Sequence, residues 1–169
     1  MKKSDINQAP NYFDTYVNKV ADIELMDALK QSITELDNLD FDALNAKADY
    51  AYAEGKWTIK DIFQHLIDTE RVMTYRALSY GRNDAKQLPG FDENNYAIHV
   101  NTKKRSLKSL IAELKLVHKS SIALFKSFDK KALKRKGIMF NSEMSVLAIG
   151  FVLAGHQIHH LQVIKERYL

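Results

Sequence analysis

The sequence predicts an all-α protein, a bundle of four helices around one core. Three observations carry this expectation. Apolar residues recur every three or four positions through four long stretches, the period of one helix face. Proline, which interrupts helices, occurs only twice, while 46% of the residues are hydrophobic. A chain of 169 residues is most economically one domain with a sizeable core, and four helices of about 20 to 25 residues make such a bundle.

Residues 1–11 read as a loose lead-in to a single domain over 12–169. From Tyr12 to about Leu36 the apolar positions Phe13, Val17, Val20, Ile23, Leu25, Met26, Leu29, Ile33 and Leu36 predict the first helix. Acidic residues and asparagine then break the pattern, and Ala51 to Lys56 reads as a connection. Thr58 predicts the N-cap of the second helix, with Asp61 three residues on to complete a capping box. Trp57 and Ile62 fall at the two positions of a hydrophobic staple, a structural role for the single tryptophan. Gly81 ends this helix. Arg82 to Thr102 is a long connection, the kind that carries function more often than short ones. The third helix spans roughly Lys103 to Phe128, with His118 expected to be solvated among lysines. A basic loop from Asp129 to Ser142 follows. Asn141 or Ser142 can cap the fourth helix, which is apolar from about Met144 and reaches Arg167.

Composition narrows the function classes. No cysteine is present, which excludes disulfides, thiolate metal sites and a cysteine nucleophile, and fits a reducing cytoplasmic location. The two N-terminal lysines precede no apolar stretch, so no signal peptide is expected. The apolar run from Met144 to Gly155 is far shorter than the ~20 residues of a membrane span, and no membrane partner is expected. Residues 101–136 hold twelve Lys or Arg against two acids, so this stretch carries +10 and the remainder −6 of the net +4. A basic patch can face nucleic acid. Without aromatics interleaved among base-reading residues it reads instead as a solvated face and loop, with no nucleic-acid partner.

The chemistry gathers at Gly155-His156-Gln157-Ile158-His159-His160-Leu161, where three of the six histidines lie within five residues of helical pattern. His156 and His160 lie about 40° apart around a helix and about 6 Å apart along it, so both can reach one ion. His156 and His159, about 60° apart, could do so too, and spacing alone does not choose. Two histidines rarely hold a catalytic ion alone, and His65 is the best third candidate. A single histidine on an apolar face is more often a hydrogen-bonded core residue. The pair shifts the balance, because burying two imidazoles without partners is costly. Three imidazoles without thiolates leave a coordination position open, as catalytic sites do. Asp68 and Arg76 share the face of His65, where Asp68 reads equally as a carboxylate orienting the ring and as a surface acid or partner of Arg76. Arg167 lies on the face of His160.

Four separated stretches carry a resemblance. They are Lys56-Trp57-Thr58-Ile59-Lys60-Asp61 leading to His65-Leu66-Ile67-Asp68-Thr69-Glu70-Arg71, then Leu88-Pro89-Gly90-Phe91-Asp92-Glu93-Asn94, then Ala154 to Leu161, and Lys165-Glu166-Arg167-Tyr168. In this order, from about residue 12 to the end, the chain resembles the DinB-like superfamily of metal-dependent proteins, DinB and YfiT types. The resemblance implies a four-helix bundle of DinB-like type and a histidine triad, which by motif is His65, His156 and His160, with His159 a neighbour. It favours the Pro89–Tyr96 segment as a pocket wall, with Phe91 and Tyr96 as apolar contacts alongside Arg76 and Arg167. Asp92, Glu93 and Asp68 are then the candidate general bases. A divalent metal is the expected cofactor, Zn or Ni first, Fe or Mn as alternatives. The resemblance further implies a homodimer acting on a small molecule, either by metal-activated water or on a low-molecular-weight thiol held as thiolate. A non-catalytic metal-binding bundle is the alternative.

Overall fold

In the computed structural model, residues 1–6, 12–84, 86–139 and 142–169 are described. The helices are α1 (Asp14–Val17), α2 (Leu25–Asp37), α3 (Phe41–Ala46), α4 (Ile59–Gly81), α5 (Glu93–His99), α6 (Leu107–Lys126), α7 (Lys130–Lys134) and α8 (Val146–Arg167). Two short strands, β1 (Lys136–Met139) and β2 (Ser142–Ser145), precede α8. The four long helices form the bundle. α4 packs on α6 and α8, and α2 packs on the same two, so α2 and α4 lie across one diagonal and α6 and α8 across the other. Chain neighbours on a diagonal need long connections, and residues 38–58 and 127–145 supply them, carrying α3, α7 and the hairpin.

The helix ends follow the capping chemistry read from the sequence. Thr58 Oγ1 accepts from Asp61 N at 3.1 Å while the Asp61 carboxylate accepts from Thr58 N at 3.0 Å, the capping box at the start of α4. Ser106 and Ser145 cap α6 and α8 through bonds from the Ser109 and Ala148 amides.

Several expectations are corrected. The first predicted helix is broken: α1 ends at Val17 and α2 starts at Leu25. The N-terminal residues explain the break, because Lys2 bridges to Glu24, Leu25 N donates to Met1 O, and Ser4 N donates to Asp22. Residues 1–6 are therefore tied to the body and not loose; residues 7–11 lie outside the described residues. The basic loop is α7 followed by a hairpin in which Gly137 pairs with Met144. Glycine is needed there, since a Cβ would fall 2.1 Å from the Tyr80 ring, whose hydroxyl donates to Ile138 O at 2.8 Å. Ser142 is thus a strand residue, Ser145 caps the helix, and Asn141 lies outside the described residues. α8 as a whole has the length and apolar content of a membrane span, longer than the run counted from sequence, but 67% of that window is buried inside the bundle.

The core divides into two apolar clusters along the bundle. One gathers Leu29, Met73, Phe125 and Val152, the other Leu36, Ile67, Leu114 and Ile164. Each long helix contributes to both. Between them the four helices contribute Ser32, Glu70, His118 and Gln157, all buried. His118, expected to be solvated, lies in this layer at 4% exposure. Lys115 and Lys119 lie close by in sequence, but the position of His118 on α6 faces inward.

Candidate metal centre

α4 and α8 are adjacent, and their facing sides bring three histidines together. His156 Nε2 lies 3.0 Å from His65 Nε2 and 3.0 Å from His160 Nε2. One nitrogen from each of the three falls within 4.8 Å of the others. The rings stand steeply to one another, at interplanar angles of 72°, 70° and 90°. A ring nitrogen carries either a proton or a lone pair, never both. His156 Nε2 therefore cannot donate to one neighbour while accepting from the other. Three lone pairs converging on one cation resolve that conflict, and the separations suit bonds of about 2.0–2.1 Å to a single ion.

Burial makes the lone pairs available. Desolvation lowers His65 to about 4 and His160 to about 3, with the neighbouring histidines adding to the effect. His156 is held well below the usual imidazole range, first by burial and then by His160 and His65. All three are neutral near pH 7, the state in which imidazole binds metal. The His65 Nδ1 faces Thr69 Oγ1 at 3.4 Å, a long contact that leaves Nε2 as the coordinating atom.

The triad forms part of the wall of a cavity of about 270 Å³. Tyr16, Trp57, Met73, Arg76, Phe91, Glu93 and His159 are among the residues that line it. The Trp57 ring lies 4.7 Å from that of His65, tilted by 44°, and Tyr16 stands edge-on to His156 at 5.1 Å and to His159 at 5.5 Å.

A model of the DinB superfamily matches residues 24–164. The chain belongs to the DinB superfamily. It is 27% identical over 115 residues to a protein of Oceanobacillus iheyensis named "Putative metal-dependent hydrolase OB0413", an alignment covering 68% of this chain and 66% of that one. The chain thus spans just under two thirds of that relative's length. Its fold is similar to that of YfiT from Bacillus subtilis, described as "a probable metal-dependent hydrolase with an unusual four-helix bundle topology". That match has a TM-score of 0.70 at 16% identity and covers 95% of this chain and 87% of the other.

Within this DinB fold the remaining candidates separate. Glu93, Phe91 and Arg76 line the cavity. Arg76 is buried at 2% exposure, donating to Met139 Sδ, Met73 Sδ and Pro89 O, with Phe91 packed 5.9 Å beneath its guanidinium. Asp92 has a different role, because its Oδ1 accepts from the Asn94 and Asn95 amides as the N-cap of α5. Asp68 faces a small outer cleft beside His65 and accepts from Gln64 at 3.0 Å, with Arg71 at 3.9 Å. Burial raises its pKa, against the opposing pull of the Gln64 hydrogen bond and the charge of Arg71. The group at His65 Nδ1 is Thr69, so Asp68 does not orient that ring. Tyr96 is 42% exposed, packs on Phe91 at 5.4 Å and lines the outer cleft. Arg167 is exposed on the last turn of α8 and is not part of the wall of the cavity that holds the triad.

Tyr16 and Thr69 are site residues that the sequence reading did not single out. Trp57 packs against the apolar cluster that contains Ile62, and its ring also lies 4.7 Å from that of His65. The signal for Tyr16 was Gly155. A Cβ on Gly155 would fall 1.9 Å from the Tyr16 carbonyl oxygen, so glycine at this point of α8 marks where α1 comes into backbone contact.

Proposed function

We propose that this DinB-superfamily chain is a metal-dependent hydrolase of small, largely apolar molecules. The observation that carries the reading is the convergence of three neutral, partly buried imidazole nitrogens on the wall of a cavity of about 270 Å³. His65, His156 and His160 would hold the ion. An all-imidazole donor set suits Zn or Ni first, with Fe or Mn as alternatives. When bound, such an ion polarises a substrate oxygen and lowers the pKa of water toward ~7.

The chain's own residues supply the rest. Thr69 Oγ1, 3.4 Å from His65 Nδ1, can accept the ring proton that leaves Nε2 free for the ion. Glu93, at the first turn of α5 and lining the cavity, is the carboxylate suited to accept a proton from the attacking water. Trp57, Tyr16 and Phe91 provide apolar walls that hold the body of the substrate.

A second reading has its own observation. Another cavity of about 290 Å³, lined by Tyr52, Lys56, Trp57 and Tyr168, shares His159 and His160 with the first. It offers room for an organic co-substrate, which favours transfer to a low-molecular-weight thiol. Elemental analysis of protein purified without a metal-affinity tag, then ester, amide and thiol-conjugation panels on the reconstituted chain, separates the cases. Hydrolysis that is lost with chelator and restored by metal is expected. Turnover confined to the thiol panel would establish the transferase. Loss of thermal stability with chelator, and turnover on neither panel, would leave the ion a structural role.

A further inference from the structure

The polar layer between the two core clusters contains a buried charge that the proposed chemistry does not use. Gln157 Nε2 donates to Ser32 O and to Glu35 Oε2, both at 2.9 Å. A carbonyl oxygen and a carboxylate can only accept, so the orientation of this amide is fixed. Its Oε1 therefore faces His118 Nε2, at 2.6 Å, and that nitrogen must donate. On the other side His118 Nδ1 lies 2.7 Å from Glu70 Oε2. The second oxygen of Glu70 lies 2.5 Å from Ser121 Oγ, which also reaches Val117 O at 3.0 Å. Both ring nitrogens of His118 therefore face oxygen acceptors, the amide oxygen of Gln157 and the carboxylate of Glu70, an arrangement that suits the imidazolium with its two donors.

We propose that His118 is a positioning residue charged at neutral pH, an imidazolium clamped between Glu70 and Gln157 that sets the spacing and rotation of the two helices bearing the metal ligands. Glu70 stands on α4, five residues after His65, and Gln157 follows His156 directly on α8. α6 supplies His118 and Ser121, and α2 supplies Ser32 and Glu35, so the groups facing the imidazolium come from all four bundle helices. Glu70, His118, Ser121 and Gln157 are each no more than 4% exposed, leaving water little access. Burial alone would lower the pKa of His118, but the hydrogen bond and charge of Glu70, then Gln157 and Glu35, outweigh it and raise the value. A buried ion pair of this kind fixes geometry more than it adds stability, because desolvating both ions offsets most of their attraction. An apolar layer would hold the helices together but would supply no directional bonds between them.

The inference rests on the three-histidine metal reading, and its tests separate the two. Long-range proton–nitrogen correlation spectra of the labelled full chain report the His118 ring directly. Both nitrogens are expected to be protonated at pH 8, and an unprotonated ring nitrogen there would overturn the proposal without touching the metal reading. Glu70→Gln, nearly identical in shape, should weaken zinc binding at least tenfold in chelator competition. The triple change of Glu70, His118 and Gln157 to leucine should keep or raise thermal stability while losing zinc affinity to a similar degree. Leu110→Ala, in the apolar cluster around Leu114, should lose stability and keep zinc affinity. If Glu70→Gln retains wild-type affinity, or loses no more than Leu110→Ala does, the layer is merely structural. A wild-type chain that binds no zinc, nickel, iron or manganese would sink the metal reading and the positioning role with it.

Discussion

Replacing Gly155 with alanine is expected to push α1 away from α8 and uncover one side of the triad. The added methyl would sit 1.9 Å from the Tyr16 carbonyl oxygen and 2.5 Å from its carbonyl carbon. Contacts under about 3 Å are repulsive, so the two backbones must separate by more than about 1 Å. No side-chain rotation relieves a clash with backbone, and overpacking of this kind costs about 1–3 kcal/mol. Helix propensity acts in the opposite direction, since alanine in place of glycine inside a helix gains about 1 kcal/mol. With the clash near the top of its range, the net loss is about 1–2 kcal/mol. For a chain of this size that corresponds to a fall in Tm of roughly 2–8 °C. Urea unfolding of the metal-free variant, followed by circular dichroism, measures the sign directly. Tyr16 now stands edge-on to His156 and His159, so the same shift should change the tyrosine environment and lower turnover. A variant about 1 kcal/mol more stable than wild type would refute the reasoning, since propensity would then be acting with no backbone in contact.

His65→Ala, His156→Ala and His160→Ala should each strip most of the bound metal, while His159→Ala should retain it by elemental analysis; the reverse for His159 and His160 would change the ligand set. Glu93→Gln should leave metal content and fold intact and reduce kcat by about 10²–10⁴, the range of general-base catalysis, whereas Asp92→Asn should change little because asparagine caps helices as well as aspartate does. Asp92→Ala should destabilise α5 by about 1 kcal/mol, readable as faster amide exchange over Glu93–His99. The metal-free chain should lose stability as the pH falls from about 6.5 toward 4. The folded-state pKa values of His65 and His160 are depressed, so the unfolded chain takes up protons first. His118 has the opposite sign: its pKa is raised, so its contribution is present below about 6.5 and is lost as the pH climbs through the raised value. Urea midpoints measured across pH 4 to 9 should therefore show a shallower acid-limb slope in a His65→Gln, His160→Gln double variant, with His156 supplying the remainder, and lose the alkaline slope in His118→Gln.

Much of the site was legible because its signals are local. A threonine with an aspartate three residues later closes a capping box whatever packs around it, and α4 begins at Ile59 as that pair requires. Histidines four apart on one helix share a face by the geometry of the helix alone, and the motif resemblance added His65 as their partner. The cofactor class followed from three imidazoles and no cysteine. What the sequence could not determine depends on which element lies against which. Its pattern marks four helices but not their order around the bundle; the diagonal placement of α2 against α4 emerges only when the connections between them are folded. His118 sits among lysines in the chain yet faces Glu70, because side-chain direction on a helix follows rotation about the axis and not sequence neighbours. Asp92 and Glu93 are adjacent and chemically alike. Only the fold decides between them, because one caps α5 through the free amides of its first turn while the other, one position on, is turned toward the cavity.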